Sequence, residues 1–289
     1  MKATCLFCVL SVLALFSCTG RSSFLDTEGL ELFDLQSGGA LTARDARHAD
    51  GIYGSLQTIL FDSPQSLSFV RFREGRYTLD ILCGEGADAD STSAFCSRTG
   101  AMAGINGSYF NMSRLTPVTY IKDDGVERGI TAGDERFRTN GSVLLDAGQT
   151  RIDADTTCGG SPFWEVMASG PILVDEGCVV SYSEDTPGWE GFYDTRHPRS
   201  LVGQDAEGYV WLVVVDGRFE GRAVGMTIAE LTELSRLLGL TDALNLDGGG
   251  SSTLWARPAG VLNHPSDNHR FDHAGERVVP NILAVFPAR

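Results

Sequence analysis

The sequence predicts a single domain of mixed α/β, or α+β, structure, in which a mixed β-sheet and one strand-helix-strand unit carry the site. Three observations support this: strand-like apolar stretches recur along the chain, a strand, a helix and a second strand follow one another between Tyr209 and Leu246, and no Pro- or Ser-rich linker divides the sequence. The strand-like stretches are residues 68–73, 76–82, 101–105, 142–145, 171–175, 209–215, 243–246 and 282–286, with Gly, Asp and Asn between them.

Within the unit, Tyr209-Val210-Trp211-Leu212-Val213-Val214-Val215 is a continuous apolar run of strand length, the pattern of a strand buried on both faces. It ends at Asp216-Gly217-Arg218. Thr227-Ile228-Ala229-Glu230 then has the form of a capping box. Ile228, Leu231, Leu234 and Leu238 recur at helical spacing until Gly239 stops the helix. The second strand, Ala243 to Leu246, runs into Asp247-Gly248-Gly249-Gly250-Ser251-Ser252. A strand, a helix and a strand in that order predict a parallel pair joined by a right-handed crossover. Asp216 and Asp247 then share the carboxyl edge of the sheet, where ligands bind. As ends of neighbouring strands about 4.8 Å apart, they would form a pair of carboxylates suited to acid-base or nucleophilic work on a glycosidic bond.

Each feature also has a plainer reading. Asp-Gly is a common turn, and taken alone Asp216-Gly217 is no more than that. Asp247 before three glycines implies a close backbone approach. Gly248 to Ser252 offer successive N–H groups and two hydroxyls, the ingredients of an anion-binding nest; no Lys follows, so this is not a nucleotide P-loop. Arg199 and Arg218 would supply countercharge, since guanidinium groups bind phosphate oxygens two at a time. Asn106-Gly107 reads locally as a hairpin turn, the capping box explains Glu230, and the histidines add no signal of their own.

The 289 residues carry 23 Lys+Arg against 38 Asp+Glu, a formal charge of −15, with 42% hydrophobic residues, and the isoelectric point is about 4.7. Collagen, coiled-coil and disordered classes are excluded. So acidic a chain is not expected to have nucleic acid as a partner, which needs a basic face.

At the N-terminus, Lys2 and the short apolar stretch over residues 6–16 read as a secretion signal. Leu15-Phe16-Ser17-Cys18 has the form of a bacterial lipobox, so residues 1–17 are expected to be removed and Cys18 lipidated. Residues 18–39 would be a tether and 40–289 the domain. The expected location is the bacterial cell envelope, periplasmic or surface-exposed, with the lipid anchor as the only membrane contact. Four cysteines remain, Cys83, Cys96, Cys158 and Cys178. An even number in an exported protein suits disulfides. Of the three possible pairings, Cys83 with Cys96 and Cys158 with Cys178 closes two short loops. These four form no CxxC pair, which disfavours zinc.

Six motifs together resemble the phosphodiester glycosidase family. They are Gly104-Ile105-Asn106-Gly107-Ser108-Tyr109-Phe110, Pro198-Arg199-Ser200-Leu201-Val202-Gly203, Val215-Asp216-Gly217-Arg218, Gly225-Met226-Thr227-Ile228-Ala229-Glu230-Leu231, Asn245-Leu246-Asp247-Gly248-Gly249-Gly250-Ser251-Ser252 and His264-Pro265-Ser266-Asp267. The resemblance covers about residues 100 to 287 and is loose over 40–100. It implies a hydrolase that removes a sugar, N-acetylglucosamine-like, from a sugar 1-phosphodiester by cleavage at the anomeric carbon. It also implies a pocket of Asn106, Arg199, Asp216, Arg218, Asn245, Asp247, Gly248, Gly249 and Ser251, with Asp247 acting on the transition state and Asp216 on a proton or water. The expected partner is a carbohydrate phosphodiester, with no metal and no cofactor. Alternatives are a phosphodiesterase cutting P–O, a glycan-binding lipoprotein without turnover, and a serine hydrolase, the weakest because Ser251 and Ser252 lack the G-x-S-x-G elbow.

Overall fold

The computed structural model describes residues 33–34, 48–154 and 159–288. Cys18, Cys158 and the leader lie outside the described residues. Each of the eight strand-like stretches overlaps a strand, but the predicted fold class is corrected, because the domain is built mostly from antiparallel β-sheet. The α-helices among the described residues are Thr92–Thr99 and Ile228–Leu237.

The largest sheet has eight strands in the order Phe33–Asp34, Gly51–Leu60, Ser63–Arg73, Tyr209–Val215, Arg199–Asp205, Leu240–Asn245, Ile172–Asp175 and Cys178–Val179. Tyr209–Val215 and Leu240–Asn245 are therefore not neighbours. Arg199–Asp205 lies between them and is antiparallel to both, pairing Arg199 with Val215 and Leu201 with Asn245. The expected parallel pair fails for a definite reason. Burial on both faces, read from the apolar run as a parallel-sheet signature, comes here from what covers an antiparallel strand. Val210, Leu212 and Val214 face a core shared with two smaller sheets, whereas Trp211, Val213 and Val215 face the helix residues Ile228, Leu231 and Leu234.

Of the two five-stranded sheets, one runs Val126–Gly129, Ile121–Asp123, Glu165–Ser169, Gly141–Asp146, Gln149–Asp153, and the other runs Gly260–Val261, Leu254–Ala256, Ala103–Asn106, Asn281–Pro287, Tyr77–Cys83. The chain leaves the large sheet at Asn245 and joins the latter sheet at Leu254, which pairs with Ile105. The Asp247 glycine loop is this crossing. It sits where the two sheets meet.

The helix Ile228–Leu237 starts as expected. Thr227 Oγ1 accepts from the Glu230 N–H at 3.1 Å, and Glu230 Oε2 accepts from the Thr227 N–H at 3.0 Å. The expected Cys83–Cys96 disulfide is corrected: Cys83, Cys96 and Cys178 are free thiols. Cys83 packs against the central core, while Cys96 lies in a separate cluster with Phe95, Ala101, Ile282 and Ala284. The helix Thr92–Thr99 turns the Cys96 sulfur against Gly104, where a side chain would collide with it. Burial pushes the Cys96 thiol up to about 12 and the Cys83 thiol up as well.

Candidate active site

The glycine loop is held from both sheets by one asparagine. Asn106 is fully buried; its Nδ2 donates to the Asp247 carbonyl at 2.6 Å, and its Oδ1 accepts from Ser200 Oγ at 2.7 Å and from the Thr253 N–H at 3.1 Å. The Asp247 N–H donates in return to the Gly107 carbonyl at 3.0 Å. With all these bonds made inside the protein, Asn106 is a strut that sets where Asp247 stands. Asp247 is half-buried, and its Oδ1 accepts from the Gly248 N–H at 2.9 Å. Burial pushes this carboxyl above the ordinary range, opposed by the nearby Ser251 hydroxyl and by the guanidinium groups of Arg138 and Arg277.

Each of the three glycines allows an approach to protein. A Cβ on Gly248 would stand 2.7 Å from the Pro198 carbonyl oxygen. Gly249 has φ +61°, and a Cβ there would stand 2.9 Å from Arg218 Nη2. A Cβ on Gly250 would overlap the Asp267–Arg277 pair. The expected backbone nest is corrected by the same geometry. The N–H groups of Gly248, Gly249, Ser251 and Ser252 go to Asp247 Oδ1, Pro198 O, Gly248 O and Gly249 O, so they are not free to cradle an anion.

Asp216 also differs from its expected role. Its side chain has no exposed surface. Its oxygens accept from Ser66 Oγ at 2.7 Å, Asn263 Nδ2 at 3.1 Å, the His264 N–H at 2.8 Å and His264 Nδ1 at 2.8 Å. A carboxyl so enclosed cannot touch a substrate, and with Arg199–Asp205 lying between the two strands it does not form the expected adjacent pair with Asp247. It orients His264 instead. With Nδ1 donating to Asp216, Nε2 is the nitrogen left to exchange a proton, and among the described residues no hydrogen-bond partner meets it. The imidazole stacks on Phe271 at 3.7 Å between ring centroids and on His273 at 4.5 Å. Asn263 ties this dyad to the glycine loop by donating to the Ser252 carbonyl at 3.0 Å.

Cationic groups surround the loop. Arg199 is 2% exposed, and its Nε donates to the Met226 carbonyl at 2.9 Å while Nη2 donates to the carbonyls of Phe192 at 2.6 Å and Thr195 at 3.0 Å. No carboxylate among the described residues forms an ion pair with it. Burial pushes its guanidinium down to about 10, which leaves it charged at neutral pH. Arg218 is exposed, adopts φ +69° and reaches Ser266 Oγ at 3.5 Å. Arg138 stacks on Tyr109 at 3.9 Å and pairs with Glu135 at 2.5 Å. Asn245 is buried; its Nδ2 donates to the Gly170 carbonyl at 2.7 Å and to Tyr109 Oη at 3.0 Å, and its Oδ1 meets no donor.

The structure thus gathers Asn106, Asn245, Asp247, Gly248, Gly249, Ser251, Arg199 and Arg218 about one junction and sets Asp216 behind it. Sequence reasoning missed His264, Arg138, Arg277 and Tyr109. For His264 the available signal was its place in His264-Pro265-Ser266-Asp267; Arg138 and Arg277 stand in no motif at all. Among the described residues no group of three or more His, Cys, Asp or Glu is arranged to hold a metal ion, and no helix is long and apolar enough to cross a membrane.

Comparison with known proteins follows the same lines. The sequence pattern of the family described as phosphodiester glycosidase matches residues 99–286. The chain is 26% identical over 212 residues to N-acetylglucosamine-1-phosphodiester alpha-N-acetylglucosaminidase of Mus musculus, covering 68% of this chain and 39% of that protein. It is 30% identical over 193 residues to the Bos taurus protein of the same name, covering 62% and 34%. The chain therefore spans well under half the length of these curated relatives. Among solved structures, the catalytic domain of zebrafish N-acetylglucosamine-1-phosphodiester alpha-N-acetylglucosaminidase, auto-inhibited by its pro-peptide, superposes with a TM-score of 0.63 at 17% identity, covering 92% of this chain and 90% of that one. A hypothetical protein from Synechocystis superposes with a TM-score of 0.60 at 16% identity, covering 82% and 62%. These two structural likenesses show a shared fold.

Proposed function

Because the chain belongs to the phosphodiester glycosidase family, we propose that it hydrolyses a sugar 1-phosphodiester at the anomeric carbon, releasing an N-acetylglucosamine-like sugar and leaving the phosphate on the second alcohol. One observation carries the reading. Arg199 is a buried cation without a carboxylate partner among the described residues, close to the loop that bears Asp247, in a chain of net charge −15. Enclosed and donating to three carbonyls, Arg199 contributes a fixed positive charge beside the loop, which favours an anionic substrate there. Arg218, exposed beside Gly249, is the guanidinium that can take phosphodiester oxygens in the planar, two-oxygen form.

In this reading Asp247 supplies the negative charge that an oxocarbenium-like transition state requires. The anomeric C–O bond breaks and its electron pair leaves on the phosphate oxygen. The oxygen of a water bonds to the anomeric carbon, and the water's proton passes to His264 Nε2, with Asp216 stabilising the imidazolium. The proposal includes attachment to a bacterial envelope membrane through acyl chains on Cys18, supported by Leu15-Phe16-Ser17-Cys18 alone.

Turnover of N-acetylglucosamine 1-phosphodiesters in 18O-labelled water tests the reaction. The expected label is in the released sugar. Label in the phosphate would mean P–O cleavage, and binding without turnover would mean a glycan-binding module; either result ends the glycosidase reading.

A further inference from the structure

His264 is held by more than its bond to Asp216. Its imidazole lies between two rings from the loop that follows it: Phe271, at 3.7 Å between centroids and 7° between planes, and His273, at 4.5 Å and 30°. Each flanking ring is itself held. Phe219 meets Phe271 edge-on at 5.2 Å, and the Arg222 guanidinium lies 5.2 Å over the Phe271 ring. His273 Nδ1 donates to the Asn263 carbonyl at 2.7 Å. Asn263 is fully buried; its Oδ1 accepts from the Leu254 N–H at 2.8 Å, and its Nδ2 donates to Asp216 Oδ1 at 3.1 Å and to the Ser252 carbonyl at 3.0 Å. The face that His273 presents is therefore anchored to the same residue that ties Asp216 to the glycine loop.

The side-chain bond to Asp216 settles which imidazole nitrogen carries the hydrogen, but a ring held at one atom can still turn about that bond. His264 is not sealed in on every side, since 14% of its side chain stays exposed. The two stacked faces are what stop the turn. We propose that Phe271 and His273 are positioning residues, which clamp the His264 imidazole and so fix the direction from which Nε2 takes the proton of the attacking water. The proposal rests on the glycosidase reading for what His264 does, and on ring geometry alone for how His264 is held. Neither clamp residue touches the reacting atoms. His273 contributes its flat face, and its Nδ1 bond to Asn263 keeps that face in place; the ring is the part that acts on His264.

The test pairs NMR of histidine-labelled full-length protein with kinetics on an N-acetylglucosamine 1-phosphodiester. The His264 Cε1 proton, assigned by its loss in His264→Gln, should lie upfield of a free imidazole because it sits against two ring faces, and His273→Ala should move it downfield. The same variant should lower kcat by about tenfold to a hundredfold, the scale of a misplaced reacting group, and leave KM unchanged. His273→Phe keeps the ring without the Nδ1 bond and should restore most of kcat. His273→Gln keeps a donor without the ring, should behave as His273→Ala, and is measured in its place where that variant does not fold. An unmoved His264 resonance, or an unchanged kcat, in a folded variant lacking the ring overturns the proposal. So does a His273→Phe protein as slow as the ringless variants. A moved resonance in a protein that turns over no sugar 1-phosphodiester upholds the clamp and removes the glycosidase reading; turnover with an unmoved resonance does the reverse.

Discussion

At the scale of single residues, Asp247 combines function with a cost to stability. Its carboxyl is pushed up by burial even though two cations and a hydroxyl oppose the shift, so the folded state holds its proton more tightly than the unfolded state does. The sign follows. The cost is absent below the ordinary carboxylate range, grows as pH rises through the interval between the unfolded and folded values, and is fully present above it. Asp247→Asn should therefore raise Tm at pH 7 and leave it unchanged near pH 3, while turnover falls by about a thousandfold or more. Thermal melts at the two pH values, with rates on an N-acetylglucosamine 1-phosphodiester, check this; a lower Tm at pH 7 would contradict it. The prominence of Asp247 is legible in Asp-Gly-Gly-Gly, because glycines mark close approach wherever they occur. The enclosure of Asp216 is not, because Ser66 and Asn263 approach it from positions 150 and 47 residues away along the chain.

At the scale of elements, two strands that lead to the site are joined by a pair of carboxyl groups. Glu165 begins the strand Glu165–Ser169 and is buried, with Oε2 accepting from the Ile81 N–H at 3.0 Å. It is also hydrogen-bonded to Asp80 on Tyr77–Cys83, which belongs to the other five-stranded sheet. A hydrogen bond between two carboxyls requires a proton on one of them. Burial, then Asp80, push Glu165 up to about 8. Directly after this strand, Gly170 accepts from both Tyr109 and Asn245, so the pair braces the far end of an element that supports the site. With the folded value raised, stability should be highest below the ordinary carboxylate range, decline as pH rises toward 8 and stay low above it. Glu165→Gln, which keeps a donor for Asp80, should flatten the Tm profile between pH 6 and 9; an equally steep decline in the variant would assign the effect to other groups. The strands are visible in sequence as apolar runs, and Thr227 with Glu230 announces its helix, because capping and alternation act between near neighbours. The register that brings Glu165 to Asp80 depends on two sheets meeting, and no local pattern encodes it.

At the scale of the whole molecule, a chain of net charge −15 presents a cluster of arginines at one junction. The proposed lipid anchor would hold that junction near an envelope surface, where phosphorylated glycans are the class of substrate it suits. Cys18→Ala should release the protein from the membrane fraction or block its processing, read by fractionation and the mass of the N-terminal peptide; unchanged partition and processing would remove the anchor. By itself the sequence determined the strands, the capped helix and the family, because hydrophobic alternation, glycine punctuation and motif order are properties of neighbouring positions. Only the tertiary structure decided that the sheets are antiparallel, that Arg199–Asp205 separates the two aspartate strands, that the N–H groups of Gly248, Gly249, Ser251 and Ser252 are used internally, and that Asp216 is enclosed and bonded to His264. Those outcomes depend on which distant segments cover a strand or satisfy a buried polar group, and contacts of that kind form only when the sheets close on one another.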